Sequence, residues 1–239
     1  MLTNLPVFVT IIIYIAAAIL PALFLMRYIY RKDTVEKEPA GMLISLVFLG
    51  VAAALIAILL ESFGKGVLSA FLVEGTPAYT IVMAFLVVAV AEEGAKFFFL
   101  KRRTWKDPNY NYRFDGIVYS VFLSLGFAAF ENISYVMGYG LTTALLRAVL
   151  AIPGHMGFAV FMGLFYGRAK LCADQGDVRG RKRNLWAAYL SAVVLHGFYD
   201  ACALIGTALS ALLFLAFVIV MYIVVTRMVK KQSKTDAPV

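Results

Sequence analysis

Long apolar segments dominate this chain of 239 residues and constrain its fold more than any other feature. A membrane-spanning helix needs about 20 mostly apolar residues. Seven stretches meet this need, near residues 5–30, 41–61, 78–100, 115–137, 142–167, 186–206 and 208–228. With 62% apolar and 15% charged residues, a soluble domain could not bury its apolar surface. We therefore predict an all-α, polytopic transmembrane helix bundle that forms one integral-membrane domain over residues 1–239.

The distribution of basic residues predicts how these spans are oriented. Nineteen of the 22 Lys and Arg residues lie in residues 27–37, 101–113, 168–183 and 227–234, which are alternate connections and the tail. Because positive charge concentrates in cytoplasmic loops, this alternation requires an odd number of spans. Seven spans, with the N-terminus outside and the C-terminus inside, fit the pattern. Six spans, obtained by merging the last two, do not.

The connection between the second and third spans is long for a tight turn. Apolar residues recur at helical spacing in residues 62–76, for example Phe63, Val67 and Phe71. We expect this connection to form a short helix lying on the outer membrane surface.

Ionisable side chains inside the predicted spans are the first indication of function. A charged side chain at mid-membrane costs at least ~2.5 kcal/mol of insertion free energy, so such residues are functional candidates. The set comprises Glu92, Glu93 and Lys96 in the third span, Glu131 in the fourth, His155 in the fifth, and His196 and Asp200 in the sixth. Each residue alone could serve as an interhelical hydrogen bond or structural ion pair. Together they exceed what packing requires, and their similar depths predict one shared polar cavity.

Helical spacing groups these residues further. Glu92 and Lys96 are four residues apart and share a helix face, so the ammonium can neutralise a carboxylate. His196 and Asp200 have the same spacing, so Asp200 can orient the imidazole ring or share a ligand with it. Glu131 and Tyr135 repeat the relation in the fourth span.

The residue types suit activation of a water molecule. A buried glutamate beside a second carboxylate is a good general base. Histidines can bind a divalent metal such as zinc, or donate hydrogen bonds to the oxyanion of a tetrahedral intermediate. The same residue types fit a proton relay in a transporter equally well. Composition alone does not separate hydrolysis from transport.

Four short motifs resemble those of a known protein family. Residues 92–96 match EExxK, residues 130–135 match FExxxY, residues 147–155 match RxxxxxPxH, and residues 196–200 match HxxxD. Together, in this order on consecutive spans, they resemble the PrsW intramembrane protease family. That family is distantly related to the type II CAAX prenyl endopeptidases and to the APH-1 subunit of γ-secretase.

The resemblance implies a peptidase of the bacterial cytoplasmic membrane. Its expected activity is site-1 cleavage of a single-pass anti-sigma factor, which releases an extracytoplasmic-function sigma factor. The partners would be this substrate and the lipid bilayer, with no nucleic acid. The alternatives are a non-catalytic scaffold like APH-1 and a proton-coupled transporter. An inverted repeat is common in transporters, and the sequence shows none.

The resemblance also implies residue roles. Glu92 and Glu93 would be the catalytic glutamates, and His196, with His155, would complete the catalytic set. The expected supporting residues are Glu131, Asp200, Lys96, Tyr135 and Arg147. The family is described both as metallo and as glutamic-type, so hydrolysis with or without a divalent metal stays open. If a metal is bound, we expect His155 and His196 as ligands, because imidazole suits zinc, with Glu131 or Asp200 and a water completing the coordination.

Overall fold

The computed structural model describes residues 6–239, and helices account for more than four fifths of them. The elements are α1 (Val7–Lys32), α2 (Ala40–Leu68), α3 (Pro77–Val82), a π-helical segment (Met83–Ala89), α4 (Val90–Thr104), α5 (Asp115–Tyr139), α6 (Leu141–Val149), α7 (Ala151–Asp174), α8 (Val178–Leu204) and α9 (Ala208–Lys234). The all-α prediction is confirmed. The first predicted span began at residue 5, which lies outside the described residues.

Six helical units are long and apolar enough to cross a membrane. They are α1, α2, α5, α6 together with α7, α8 and α9. The remaining predicted span, near 78–100, is a continuous helical rod made of α3, the π segment and α4. At ~1.5 Å per residue this rod is also long enough to cross a membrane. Unlike the six units above, it contains a π segment and the charged EExxK motif.

The predicted basic segments meet on one side of the bundle, which we call the basic side. The Asn111 side chain donates to Glu36 Oε2 at 3.0 Å, and Arg113 N donates to Ala237 O at 3.1 Å. Lys170 Nζ lies 5.7 Å from the centroid of the Tyr110 ring. The rod from α3 to α4 must therefore run back across the bundle, as seven crossings require. Which side faces the cytoplasm stays a prediction.

The connection after the second span differs from its prediction. Helix α2 continues without a break to Leu68, so residues 62–68 belong to it, and residues 69–76 form turns. The separate surface helix expected over residues 62–76 is wrong, because its apolar spacing simply continues that of α2.

The fifth predicted span is broken between α6 and α7. Pro153 has no N–H, so it cannot donate to the Val149 carbonyl four residues earlier. The Tyr222 hydroxyl of α9 donates to that carbonyl instead. The break sets α6, which carries Arg147, apart from α7, which carries His155.

Helix α5 forms the centre of the bundle, and most of its length is buried. It packs against α1 and α2 on one side and against α7 on another. Glycines allow the close approach of α2 and α5: a Cβ on Gly126 would lie 2.3 Å from Val47 O, and one on Gly50 would lie 2.1 Å from Leu123 O. Helices α1 and α9, by contrast, are mostly exposed and present apolar side chains outward.

A second buried polar group, the basic-side cluster, comprises Asp33, Glu38, Asp115 and Tyr119. The Tyr119 hydroxyl donates to the Glu38 carboxylate, while Asp115 Oδ2 accepts backbone N–H groups from the α4–α5 loop at 2.7 and 3.0 Å. Burial raises the pKa of Asp33 to about 6, and it raises the pKa of Glu38 as well. Glu38 therefore joins the α1–α2 loop to α5, and Asp115 joins the α4–α5 loop to the start of α5.

Candidate active site

The EExxK motif forms a buried three-residue ion network on α4. Lys96 Nζ lies 2.9 Å from Glu92 Oε2 and 2.8 Å from Glu93 Oε1, and all three side chains are buried. The ammonium also lies 3.8 Å from the centroid of the Phe127 ring on α5. Both glutamates therefore share one cation, although consecutive helical positions point in directions about 100° apart.

The π segment ends immediately before this motif and packs against α8. Such segments insert one residue into a helical turn and are frequent at functional sites. At the contact, a Cβ on Gly197 would lie 2.5 Å from Phe85 Cδ1, so only glycine leaves room for the ring. This close contact brings His196, the residue before Gly197, against α4.

His196 connects α8 to the glutamates. Its Nδ1 lies 2.9 Å from Glu93 Oε1, and its Nε2 lies 3.3 Å from Asp200 Oδ2, one turn further along α8. The ring stacks on Phe158 with a centroid separation of 4.8 Å. Asp200 thus holds the outer nitrogen, and the inner nitrogen faces Glu93.

His155 has a matching arrangement on α7. Its Nδ1 lies 3.3 Å from Lys96 Nζ, and its Nε2 lies 3.0 Å from Glu131 Oε2 on α5. Glu131 is paired in turn with Arg147 at 2.8 Å, and the guanidinium lies 3.9 Å from the Tyr135 ring centroid. Arg147 also donates to the Asn132 side chain at 2.9 Å. The FExxxY and RxxxxxPxH motifs therefore meet around the outer nitrogen of His155.

Four buried residues offer ligand atoms that all lie within 4.8 Å of one another: Glu92, Glu93, His155 and His196. Each imidazole directs one nitrogen towards this group while a carboxylate holds the other. Metal-binding histidines commonly show this pattern, because an outer carboxylate fixes the ring orientation. In addition, Glu93 Oε2 is buried without a hydrogen-bond partner among the described residues. The donor types fit a divalent metal, although the Lys96 ammonium already contacts three of these residues, Glu92, Glu93 and His155.

Glu131, the third predicted metal ligand, occupies a different place. It lies against the outer nitrogen of His155 and is not among the four converging residues. Its geometry suits orientation of the ring, while Glu92 or Glu93 is better placed to complete a ligand set.

The site opens into a cavity of about 800 Å³. Its polar lining includes Glu92, Glu131, Arg147, His155, His196 and Asp200. Apolar residues complete the walls, among them Leu146 of α6, Leu150 at the break before α7 and Phe214 of α9. Glu93 and Lys96 lie behind this surface and support the residues that line it.

The carboxylates of the site outnumber its permanent cations. Five carboxylates stand against two cations: Glu61, Glu92, Glu93, Glu131 and Asp200 against Lys96 and Arg147. This excess of negative charge favours an additional cation inside the site.

Two residues at the cavity were not predicted from the sequence. Glu61 of α2 lines it, and the carboxylate has no hydrogen bond or salt bridge to any described residue. A lone carboxylate at the end of a long apolar run was the available signal, but Glu61 lay at the boundary of the predicted loop. Phe158, which stacks on His196, carried no signal because phenylalanine is common in spans.

The family comparison covers most of the chain. A family model described as "PrsW family intramembrane metalloprotease" matches residues 38–227. This range runs from the end of the α1–α2 loop into α9 and includes all four motifs. No solved structure matches the chain significantly.

Similar bacterial proteins carry the name Protease PrsW. The one from Geobacillus kaustophilus is 37% identical over 186 residues, which is 78% of this chain and 77% of that protein. The one from Halalkalibacterium halodurans is 32% identical over 222 residues, covering 93% and 98%. The one from Bacillus subtilis is 35% identical over 196 residues, covering 82% and 84%. This chain belongs to the PrsW family of intramembrane proteases, and it is therefore a multi-pass bacterial membrane peptidase rather than a scaffold or a transporter.

Proposed function

We propose that the chain performs site-1 cleavage of a single-pass anti-sigma factor and so releases an extracytoplasmic-function sigma factor. The observation that carries the hydrolytic part is the buried convergence of Glu92, Glu93, His155 and His196 beside a large cavity. The substrate follows from the family resemblance of the four motifs.

Glu92 is the best-placed general base. It lines the cavity, so a cavity water can reach its carboxylate, whereas Glu93 lies behind it and bonds to Lys96 and His196. Glu92 accepts a proton as the water oxygen bonds to the peptide carbonyl carbon. The proton then passes to the peptide nitrogen as the carbon–nitrogen bond breaks.

The histidines stabilise the charge that develops on the carbonyl oxygen. Without a metal, a ring N–H of His196 would donate to this oxyanion, because the inner nitrogen of His155 accepts from the Lys96 ammonium. With a metal, both imidazoles and a carboxylate of Glu92 or Glu93 would hold it. A bound divalent metal supplies Lewis-acid polarisation and lowers the pKa of a coordinated water. Asp200 and Glu131 act through the rings, by fixing their orientation.

The cavity walls suit a transmembrane substrate. Leu146 of α6, Leu150 before α7 and Phe214 of α9 provide apolar surface next to the polar centre. An apolar segment of substrate can occupy this surface while its scissile peptide reaches Glu92.

The test is cleavage by the purified full chain in liposomes. A candidate single-pass anti-sigma factor is incubated with wild type, with Glu92→Gln and with Glu74→Gln, and products are located by mass spectrometry. Glu74 lies in the α2–α3 loop and is about half exposed, so its amide variant is the matched control. We expect one cut within or beside the transmembrane segment with wild type and control, and none with Glu92→Gln.

The outcomes separate substrate from chemistry. Cleavage of other single-pass proteins but not of the anti-sigma factor would refute the proposal that an anti-sigma factor is the substrate. Cleavage by Glu92→Gln at the wild-type rate would refute Glu92 as the base.

A further inference from the structure

A second groove lies between α4 and α8, away from the catalytic cavity. It has a volume of about 350 Å³. Its walls comprise Gly94, Phe97 and Lys101 on α4, and Lys182, Leu185, Trp186 and Tyr189 on α8. It shares no lining residue with the catalytic cavity. We call it the α4–α8 groove.

The charged end of this groove is cationic and uncompensated. Lys101 stands in the last turn of α4 and Lys182 near the start of α8, and both are exposed. No carboxylate lines the groove, and neither lysine forms a salt bridge with any described residue. Lysine pairs at the end of membrane helices attract anionic phosphate groups.

The remainder of the groove is aromatic and apolar. The Trp186 and Tyr189 ring centroids are 6.4 Å apart, and those of Tyr189 and Phe97 are 6.1 Å apart. Trp186 is 64% exposed although it is large and apolar. Trp and Tyr prefer the membrane interface, where one end of the ring meets lipid and the other meets headgroups. The cationic rim matches the phosphate of a phospholipid, and the apolar wall matches its acyl chain.

The groove also contacts the catalytic helix. Gly94, which follows Glu93 in the motif, forms part of its wall. The Tyr189 hydroxyl donates to the Val90 carbonyl at 3.2 Å, in the turn that carries the glutamates. The groove and the active site therefore occupy opposite faces of the same turn of α4.

We propose that the α4–α8 groove binds one anionic phospholipid. The phosphate lies between Lys101 and Lys182, and the first part of an acyl chain lies along Trp186 and Phe97. The bound lipid holds α4 against α8 and so preserves the contact of Glu93 with His196.

Binding is tested by native mass spectrometry of the purified full chain, taken from bilayers of phosphatidylcholine alone or mixed equally with phosphatidylglycerol. We expect wild type to retain one phosphatidylglycerol. Lys101→Gln with Lys182→Gln should weaken retention about 25-fold, at roughly fivefold per lysine. The matched control is Lys230→Gln with Lys231→Gln, two exposed lysines on the basic side of α9. Trp186→Ala should also weaken retention.

Three results would overturn the proposal. Equal loss of bound phosphatidylglycerol in both double variants would indicate a general electrostatic attraction of the lipid to the protein surface. Unchanged retention in Trp186→Ala would remove the acyl chain from the groove. Displacement of the lipid by inorganic phosphate at matched concentration would show a phosphate site in place of a lipid site.

Hydrogen exchange tests the effect on α4 without needing any substrate. Phosphatidylglycerol should slow amide exchange over residues 90–101 in wild type and in the α9 control, but not in the Lys101 and Lys182 double variant. Equal slowing in all three proteins, or slowing in none, would contradict the stabilisation of α4. Because both measurements are independent of proteolysis, their failure is distinct from failure of the proposed function.

Discussion

The active site and the basic-side cluster both bury several carboxylates, yet their surroundings differ. In the active site, Glu92 and Glu93 share the Lys96 ammonium and face two histidines beside a cavity. In the basic-side cluster, Glu38 accepts from a tyrosine hydroxyl and Asp115 from backbone N–H groups. No salt bridge among residues 6–239 involves those two carboxylates, and neither lines the cavity.

The difference shows that burial of a carboxylate is a weak sign of catalysis. Neutral or backbone donors give Glu38 and Asp115 a structural role, because they attach loops to α5. A shared cation, histidines with one nitrogen directed inward and access from a cavity together mark a group that can react. Three experiments probe this contrast, from the largest expected effect to the smallest.

Removal of the shared cation should have the largest effect. Lys96→Met leaves two buried carboxylates without their counterion, so we expect a loss of about 3–5 kcal/mol of unfolding free energy. Thermal unfolding of the purified protein in detergent measures the loss. Lys170→Met, which breaks an i,i+4 pair with Asp174 at 3.5 Å, is the control and should cost at most about 1 kcal/mol. Equal losses would refute the special role of Lys96.

Loss of an outer carboxylate should have an intermediate effect on catalysis alone. Asp200→Asn keeps the shape but weakens the hold on the outer nitrogen of His196, so we expect kcat to fall about 10–100-fold. KM should change little, because Asp200 acts through the ring. Steady-state cleavage kinetics measure both constants, with Asp174→Asn on α7 as control. A change confined to KM would instead place Asp200 in substrate binding.

The basic-side cluster should respond weakly and through stability. Burial raises the pKa of Glu38 and of Asp33, to about 6 for the latter, so the fold favours their protonated forms. This stabilisation is present below the unfolded pKa values and is lost as pH rises through the folded ones. As the pH rises from mildly acidic to mildly alkaline, the wild-type protein should lose unfolding free energy. Its Tm should fall by about 2–4 °C for each kcal/mol lost.

Glu38→Gln should flatten that pH dependence, because an amide stays neutral throughout the range. Glu36→Gln, an exposed neighbour in the same loop whose charge makes only a small contribution to the raised pKa of Glu38, should change the slope much less. A wild-type slope retained in Glu38→Gln would show that other groups cause it.

The sequence predicted which polar residues converge at the candidate active site better than it predicted how they pair. Charges inside apolar runs are rare, so Glu92, Glu131 and His196 stood out directly. The pairing depends on how helices rotate against one another, which spacing along one chain does not specify. That Glu131 holds the outer nitrogen of His155 could therefore not be predicted, nor that one ammonium serves both glutamates.

Other features carried too little signal in the sequence. The π segment is an apolar run like any span, so nothing marked it before the glutamates. Glu38 and Asp115 lie at helix ends, where charged residues are ordinary, and their burial arises only from tertiary contacts between the loops and α5. The broken fifth span was signalled by Pro153, but the helix boundary at Leu150 required the structure.

The most direct test of the account compares two buried carboxylates in one cleavage assay. Purified Glu92→Gln and Glu38→Gln are assayed beside wild type with the same single-pass substrate, after circular dichroism shows that each is folded. We expect Glu92→Gln to lose about 10²–10⁴-fold in rate, because its carboxylate is the general base, while Glu38→Gln stays close to wild type. Near wild-type cleavage by Glu92→Gln, or an equal loss in both variants, would contradict this assignment.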